Sequence, residues 1–203
     1  MWLGKTLIFL LGPLVRLLMR VEVKGKENIP LTPGEPPLAL CCNHVSLWDP
    51  VVLAVSLPRH PHFMAKAELF QFKPFAWLIG KQFGAFPVKR GSGDTGALDY
   101  AKQLINEGKV MGIFPEGTRS KDGKLGRAKS GAAFIVADVQ AHVLPVAVVA
   151  KDQKPRPFRK TTLVIGKPLS PQDLHLDNRE KPDIRYASRA IMSAIAELVE
   201  GVQ

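Results

Sequence analysis

His44 and Asp49 are the residues whose types and spacing first suggest chemistry; they stand in Cys41-Cys42-Asn43-His44-Val45-Ser46-Leu47-Trp48-Asp49-Pro50. An imidazole titrates near neutral pH, so it can take a proton from a substrate as a bond forms. A carboxylate accepting from one ring nitrogen fixes the tautomer and leaves the other nitrogen free for that task. The same pair has a plainer reading: a histidine near a strand end is often a satisfied structural group, and Asp before Pro is first of all a helix cap. A second cluster favours chemistry. Gly112-Ile113-Phe114-Pro115-Glu116-Gly117-Thr118-Arg119-Ser120 is an apolar run entering a glycine turn, followed by a hydroxyl and a guanidinium. Such a turn can present backbone N–H groups and an arginine fork to a phosphate.

The elements that must position these groups are short and apolar. Pro37 to Cys42, bounded by prolines, reads as a buried strand, and Val51 to Leu57 as a helix opened by Asp49 at its N-cap and Pro50 in its first turn. His44 then lies at the carboxyl end of a strand, the edge of an open α/β sheet where ligands bind. Further strands are expected at 21–25, 109–114, 143–150 and 161–165, with helices over 94–107, 129–139 and 182–200. This alternation argues an α/β domain.

Asn43-His44 with Asp49, then Gly84-Ala85-Phe86-Pro87-Val88-Lys89-Arg90, then Phe114 to Ser120, then Leu144-Pro145-Val146 resemble, in order and spacing, the four motifs of the glycerolipid acyltransferases. The resemblance covers roughly residues 20 to 165. Its first and third motifs are specific together; the fourth is weak, and Val148 stands where some relatives carry a second proline. The resemblance implies a mixed sheet flanked by helices and a fatty acyl transfer with His44 as general base and Asp49 as its orienting partner. The acyl donor would be a thioester of acyl carrier protein or coenzyme A. The acceptor would be lysophosphatidic acid, or, on the same machinery, glycerol 3-phosphate, another lysophospholipid or a lyso-aminolipid. Arg119, Arg90 and the Gly117-Thr118 amides would hold the acceptor's phosphate, with Glu116 grouped beside them against an arginine or the glycerol backbone. Lys66, in a segment similar to the family's Lys-x-Glu-Leu, would stabilise the oxyanion or orient neighbours. Because the substrate's hydroxyl takes the place of a catalytic serine, no enzyme nucleophile or cofactor is called for. A single His-Asp pair is also a poor metal site.

The chain of 203 residues, 46% hydrophobic, is long enough for one domain with a core. Its formal charge of +10 and pI near 9.8 ask for an anionic partner. No zinc-ligand spacing or RNA-binding signature supports nucleic acid, which leaves anionic lipid headgroups. The two cysteines are adjacent, which excludes a disulfide framework and suggests a reducing compartment. Beside a Cys-His nucleophile pair, the stronger reading of Cys41 and Cys42 is as small buried strand residues.

Residues 1–20 are read as an interfacial amphipathic helical segment and 21–203 as the catalytic domain. Only ten uncharged residues separate Lys5 from Arg16, whereas a spanning helix needs about 20. Lys5, Gly12, Arg16 and Arg20 fall on one helical stripe with Leu, Ile, Val and Phe elsewhere, kinked or split at Gly12-Pro13. The competing reading packs this helix on the domain's own core. Between Phe63 and Gly93, aromatics interleave with Lys73, Lys81, Lys89 and Arg90, which suits a membrane surface or an acyl-chain groove. The basic stretch 151–160 reads as a solvated turn, though its net charge would also suit lipid contact. These features point to a peripheral or monotopic protein on the cytoplasmic face of the cell membrane. A non-catalytic, basic membrane-surface module, with His44 and Asp49 structural, is the alternative of another class.

Overall fold

The structure is a computed structural model that describes residues 2–30, 36–89, 94–150, 154–178 and 180–202. Its strands are β1 (Val21–Lys24), β2 (Leu38–Cys42), β3 (Pro61–Lys66), β4 (Phe86–Val88), β5 (Val110–Ile113), β6 (His142–Ala150) and β7 (Thr161–Ile165). They form one seven-stranded sheet in the order β1-β7-β6-β2-β5-β3-β4. All neighbours pair parallel except β6 and β7, which are antiparallel, so the sheet is mixed.

β2 lies between β5 and β6, and all its residues are buried, as a central parallel strand requires. Parallel pairing from β2 through β5 and β3 to β4 puts the ends of these strands on one edge. The segments following Cys42, Lys66, Val88 and Ile113, far apart in sequence, therefore share that edge.

Helices cover the sheet on both faces: α1 (Trp2–Leu18), α2 (Asp49–Ser56), α3 (Lys73–Trp77), α4 (Thr95–Asn106), α5 (Gly131–Val139) and α6 (Ile184–Glu200). Side chains alternate along β2. Ala39 and Cys41 join the core beneath α4, α5 and α6 with Leu104, Ile135 and Ile191. Leu38, Leu40 and Cys42 meet Leu53 of α2, Phe63 and Val146 on the other face. Asp94 and Asp183 cap α4 and α6 through bonds from Ala97 N (3.2 Å) and Tyr186 N (2.8 Å).

α1 runs as one helix through Pro13 and rests on α2. Gly12 is buried in that contact, where a Cβ would lie 3.6 Å from Val55 Cβ, and Met19 is fully buried. Gly12 thus faces inward and leaves the expected polar stripe, of which Arg16 and Arg20 are exposed; the Lys5 side chain lies outside the described residues. The outward face is apolar: Leu10, Leu14 and Leu17 are 64%, 60% and 75% exposed. Both packing on the domain and an exposed apolar face are therefore present in one helix. No helix among the described residues is long and apolar enough to cross a membrane. In the aromatic stretch after β3, α3 buries none of its residues, and Phe72, Phe75 and Trp77 lie at the surface.

Candidate active site

β2 ends at Cys42, and Asn43 releases the chain from the sheet. Its side chain bonds both polar groups of Val148 on β6, so the backbone can turn away at His44 without stranding them. His44 Nδ1 lies 2.8 Å from Asp49 Oδ2. The same oxygen accepts from Val45 N and Ser46 N, each at 2.7 Å. Backbone N–H groups can only donate, so Oδ2 is the acceptor, Nδ1 carries the ring proton, and the lone pair is left on Nε2.

Asp49 is not the helix cap expected from the sequence. Trp48 occupies the cap position with no side-chain cap bond, and Asp49 is the first helical residue. Its carboxylate, wholly buried, folds back over the preceding loop to close a tight turn around the histidine. The imidazole is also held by its face. Phe114 stacks on it at 4.0 Å between ring centroids and 19° between planes, and Phe63 backs Phe114 at 5.6 Å. Phe63 occupies space that only a glycine on β5 leaves open, since a Cβ on Gly112 would come within 2.3 Å of its ring.

The turn after β5 meets the His44 loop directly. Ser120 N donates to His44 O at 2.8 Å, and Glu116 Oε1 accepts from His44 N at 3.0 Å. Glu116 is 6% exposed; its other oxygen accepts from Gly126 N at 2.8 Å, so the carboxylate faces inward. Gly117, at φ +69°, supplies the left-handed residue of the turn, and its N–H is engaged with Phe114 O at 2.9 Å. That amide is committed within the turn.

Thr118 and Arg119 line a cavity of about 730 Å³ together with Val45 to Trp48, Ser120, Lys121, Lys154 and Arg156. Its cations are Arg119, Lys121, Lys154 and Arg156, and among the described residues no acidic one lines it. The segment 154–156, read as solvated from the sequence, forms this wall because Ser46 Oγ donates to Pro155 O (3.4 Å) and Lys154 Nζ to Lys121 O (3.1 Å). Net charge was the signal for it; spacing gave none. Arg90 lies outside the described residues. Lys66 ends β3 in an exposed ion pair with Glu68 at 3.0 Å.

Cys41 and Cys42 offer no nucleophile. Burial pushes the Cys41 thiol up to about 12 and raises that of Cys42 well above its ordinary value. Cys42 Sγ sits 3.5 Å from Asn43 Oδ1. The strand reading of both residues is the one observed.

The site therefore joins an oriented, lone-pair-bearing imidazole to an adjacent cationic cavity. Residues 20–149 match the family model described as Acyltransferase. The chain is 35% identical over 183 residues to the 1-acyl-sn-glycerol-3-phosphate acyltransferase of Bacillus subtilis, covering 88% of this chain and 87% of that protein. It is 32% identical over 132 residues to a chloroplastic 1-acyl-sn-glycerol-3-phosphate acyltransferase of Brassica napus, covering 64% of this chain but only 37% of the plant protein. Its fold is similar to the crystal structure of the 1-acyl-sn-glycerophosphate acyltransferase of Thermotoga maritima, with TM-score 0.68 and 24% identity, over 96% of this chain and 82% of that one.

Proposed function

The chain belongs to the Acyltransferase family, and from that premise we propose that it transfers a fatty acyl group from a thioester to the free hydroxyl of lysophosphatidic acid, giving phosphatidic acid. The observation that carries this reading is the His44–Asp49 contact, which leaves Nε2 as a base in the loop whose next residues, Val45 to Trp48, line a cavity with cations.

An alcohol holds its proton far too tightly at neutral pH to attack a thioester unaided. His44 Nε2 removes that proton as the hydroxyl oxygen bonds to the thioester carbon. Asp49 steadies the imidazolium that forms. The tetrahedral intermediate then expels the carrier's sulfur, which takes the proton back from Nε2 as the C–S bond breaks. Ester and thiol are the products, and the base returns to its starting form. The acceptor's phosphate sits in the cationic cavity lined by Arg119, Lys154 and Arg156, and Arg90 is assigned to the same phosphate from its place in the sequence. A volume of about 730 Å³ suits a polar headgroup with its glycerol. Donor thioesters of acyl carrier protein and of coenzyme A present the same reacting atoms.

Substrate and product both live in a bilayer, and the apolar outer face of α1 with Arg16 and Arg20 suits an anionic lipid surface. The protein works as a peripheral or monotopic enzyme at the cytoplasmic leaflet. The defining experiment offers purified protein each thioester with a panel of lyso-acceptors and identifies the lipid formed by mass spectrometry. Phosphatidic acid is expected, and His44→Ala is expected to lower its formation by about 10²–10⁴-fold. Product from another lyso-acceptor with none from lysophosphatidic acid would replace the acceptor assignment; near wild-type turnover by His44→Ala would remove the mechanism.

A further inference from the structure

Glu116 belongs to the turn that also carries Arg119, yet its carboxylate is turned away from the cavity and each oxygen already accepts a backbone N–H. One of these belongs to His44. The other face of the same residue, its carbonyl, accepts from Ser120 four positions further on. The main chain of His44 is therefore gripped from both sides by a single turn. That turn is itself braced, because Lys129 N donates to Pro115 O at 2.8 Å and closes the loop 116–129 back on its origin. A phosphate near a carboxylate would be repelled, so an inward Glu116 also keeps negative charge out of the cationic cavity.

We infer that Glu116 is a positioning residue for the base, with Gly126 as its brace. Asp49 and Phe114 fix the orientation of the imidazole ring, while Glu116 and Ser120 fix the backbone from which it projects. Gly126 leaves room for this carboxylate: a Cβ there would lie 2.9 Å from Glu116 Oε2, so the carboxylate would have to shift against the two N–H groups it accepts from. This assignment rests on the proposed role of His44 in acyl transfer.

The test uses Glu116→Gln and Gly126→Ala in the full chain. A glutamine keeps one acceptor oxygen but turns an NH₂ group on the second backbone N–H, so one of the two contacts must be lost. Displacing a reacting group by about 1 Å costs up to ~10²-fold, so kcat is expected to fall roughly 10- to 100-fold in both variants. The KM for the acceptor should stay within about twofold, since ground-state binding is untouched. The loss should be the same for lyso-acceptors with and without a phosphate, measured on whichever of them the wild type turns over. Independently of turnover, the proton resonance of His44 Nδ1–H in the folded variants should move, because its bond to Asp49 is re-angled. A rise in KM confined to phosphate-bearing acceptors would overturn the inference and make Glu116 a substrate contact. So would a lower melting temperature with unchanged kcat and an unmoved Nδ1–H resonance, which is the signature of a scaffold role only. Failure of the wild type to use lysophosphatidic acid strikes the proposed acceptor and leaves this comparison intact.

Discussion

Asn43 and Val148 exchange two hydrogen bonds: Val148 N donates to Asn43 Oδ1 at 2.8 Å, and Asn43 Nδ2 donates to Val148 O at 3.0 Å. The last backbone pair between β2 and β6 is Cys42 with Val146. The asparagine side chain therefore stands in for the next peptide of β2, and the main chain is released one residue before His44. An amide is the side chain that supplies an acceptor and a donor at that spacing.

Asn43→Asp tests this substitution of side chain for backbone. The second carboxylate oxygen would face the carbonyl of Val148 with no proton between them, in a place where Asn43 is buried. A buried acceptor left without a partner costs about 1–3 kcal/mol, more when charged. Chemical denaturation should show a loss of at least that size. Equal stability of variant and wild type would mean that the strand end is held by something else.

Most of the scaffold was legible because its strands are short apolar runs bounded by turn residues. The expected strands at 21–25, 143–150 and 161–165 differ from those observed by at most one residue at an end. β3 and β4 were not legible: in Pro61–Lys66 the apolar Met64 falls on the face that His62 and Lys66 make polar, which blurs the alternation, and Phe86–Val88 is too short to show a period. The His44–Asp49 contact followed from spacing alone. The direction of Glu116 did not, because an acid beside an arginine in sequence looks like part of the same polar site, whereas the glycine turn at 117 sends the two side chains to opposite sides of the chain. The wall formed by Lys154 and Arg156 depends on Pro155 reaching Ser46, a contact between residues 109 apart in sequence. No local pattern encodes it.

Asp49→Asn should affect chemistry far more than stability. The amide oxygen can still accept from Val45 and Ser46, so the loop keeps its turn. In a Ser-His-Asp site the equivalent change leaves the geometry intact but stabilises the wrong tautomer, with kcat falling by about 10⁴. The same magnitude is expected here, without the rescue that a helix-capping role would provide. A measured kcat within about tenfold of wild type would show that the carboxylate's charge and acceptor character are dispensable.

α1 and Phe158 together make the membrane prediction. Phe158 N donates to Leu18 O, which seats the aromatic ring beside the end of α1; the ring is 74% exposed, and the backbone is held at φ +64°. A bulky residue in that conformation is strained, so Phe158→Gly should leave the melting temperature unchanged or raised while weakening binding to vesicles containing anionic lipid. Replacing Leu10, Leu14 and Leu17 by Ser should weaken binding further. Fully burying each leucine gains ~1.5–3 kcal/mol, and at half that depth the triple change loses at least ~2 kcal/mol, roughly 30-fold in partition. Vesicle sedimentation at low and high salt checks both. Complete release by salt, with no effect of the leucine changes, would show that binding is electrostatic only.

The cationic cavity makes the most selective prediction, because its two arginines come from different strands' ends. Arg119 follows β5 and Arg156 follows β6, and if both face one phosphate, their effects must couple. Arg119→Lys keeps the charge but loses the planar fork, costing ~1.5–3 kcal/mol, or roughly 10- to 150-fold in kcat/KM for lysophosphatidic acid. Arg156→Lys should act in the same direction on the acceptor KM. In the double variant the two losses should sum to more or less than their parts by ~0.5–3 kcal/mol, as for groups sharing a partner. A lyso-acceptor without phosphate should ignore all three changes, and the donor KM should hold constant at saturating acceptor. Strict additivity would place the arginines on different ligands. A rise in donor KM from Arg156→Lys alone would assign that wall to the thioester carrier's phosphates and leave Arg119 to the acceptor.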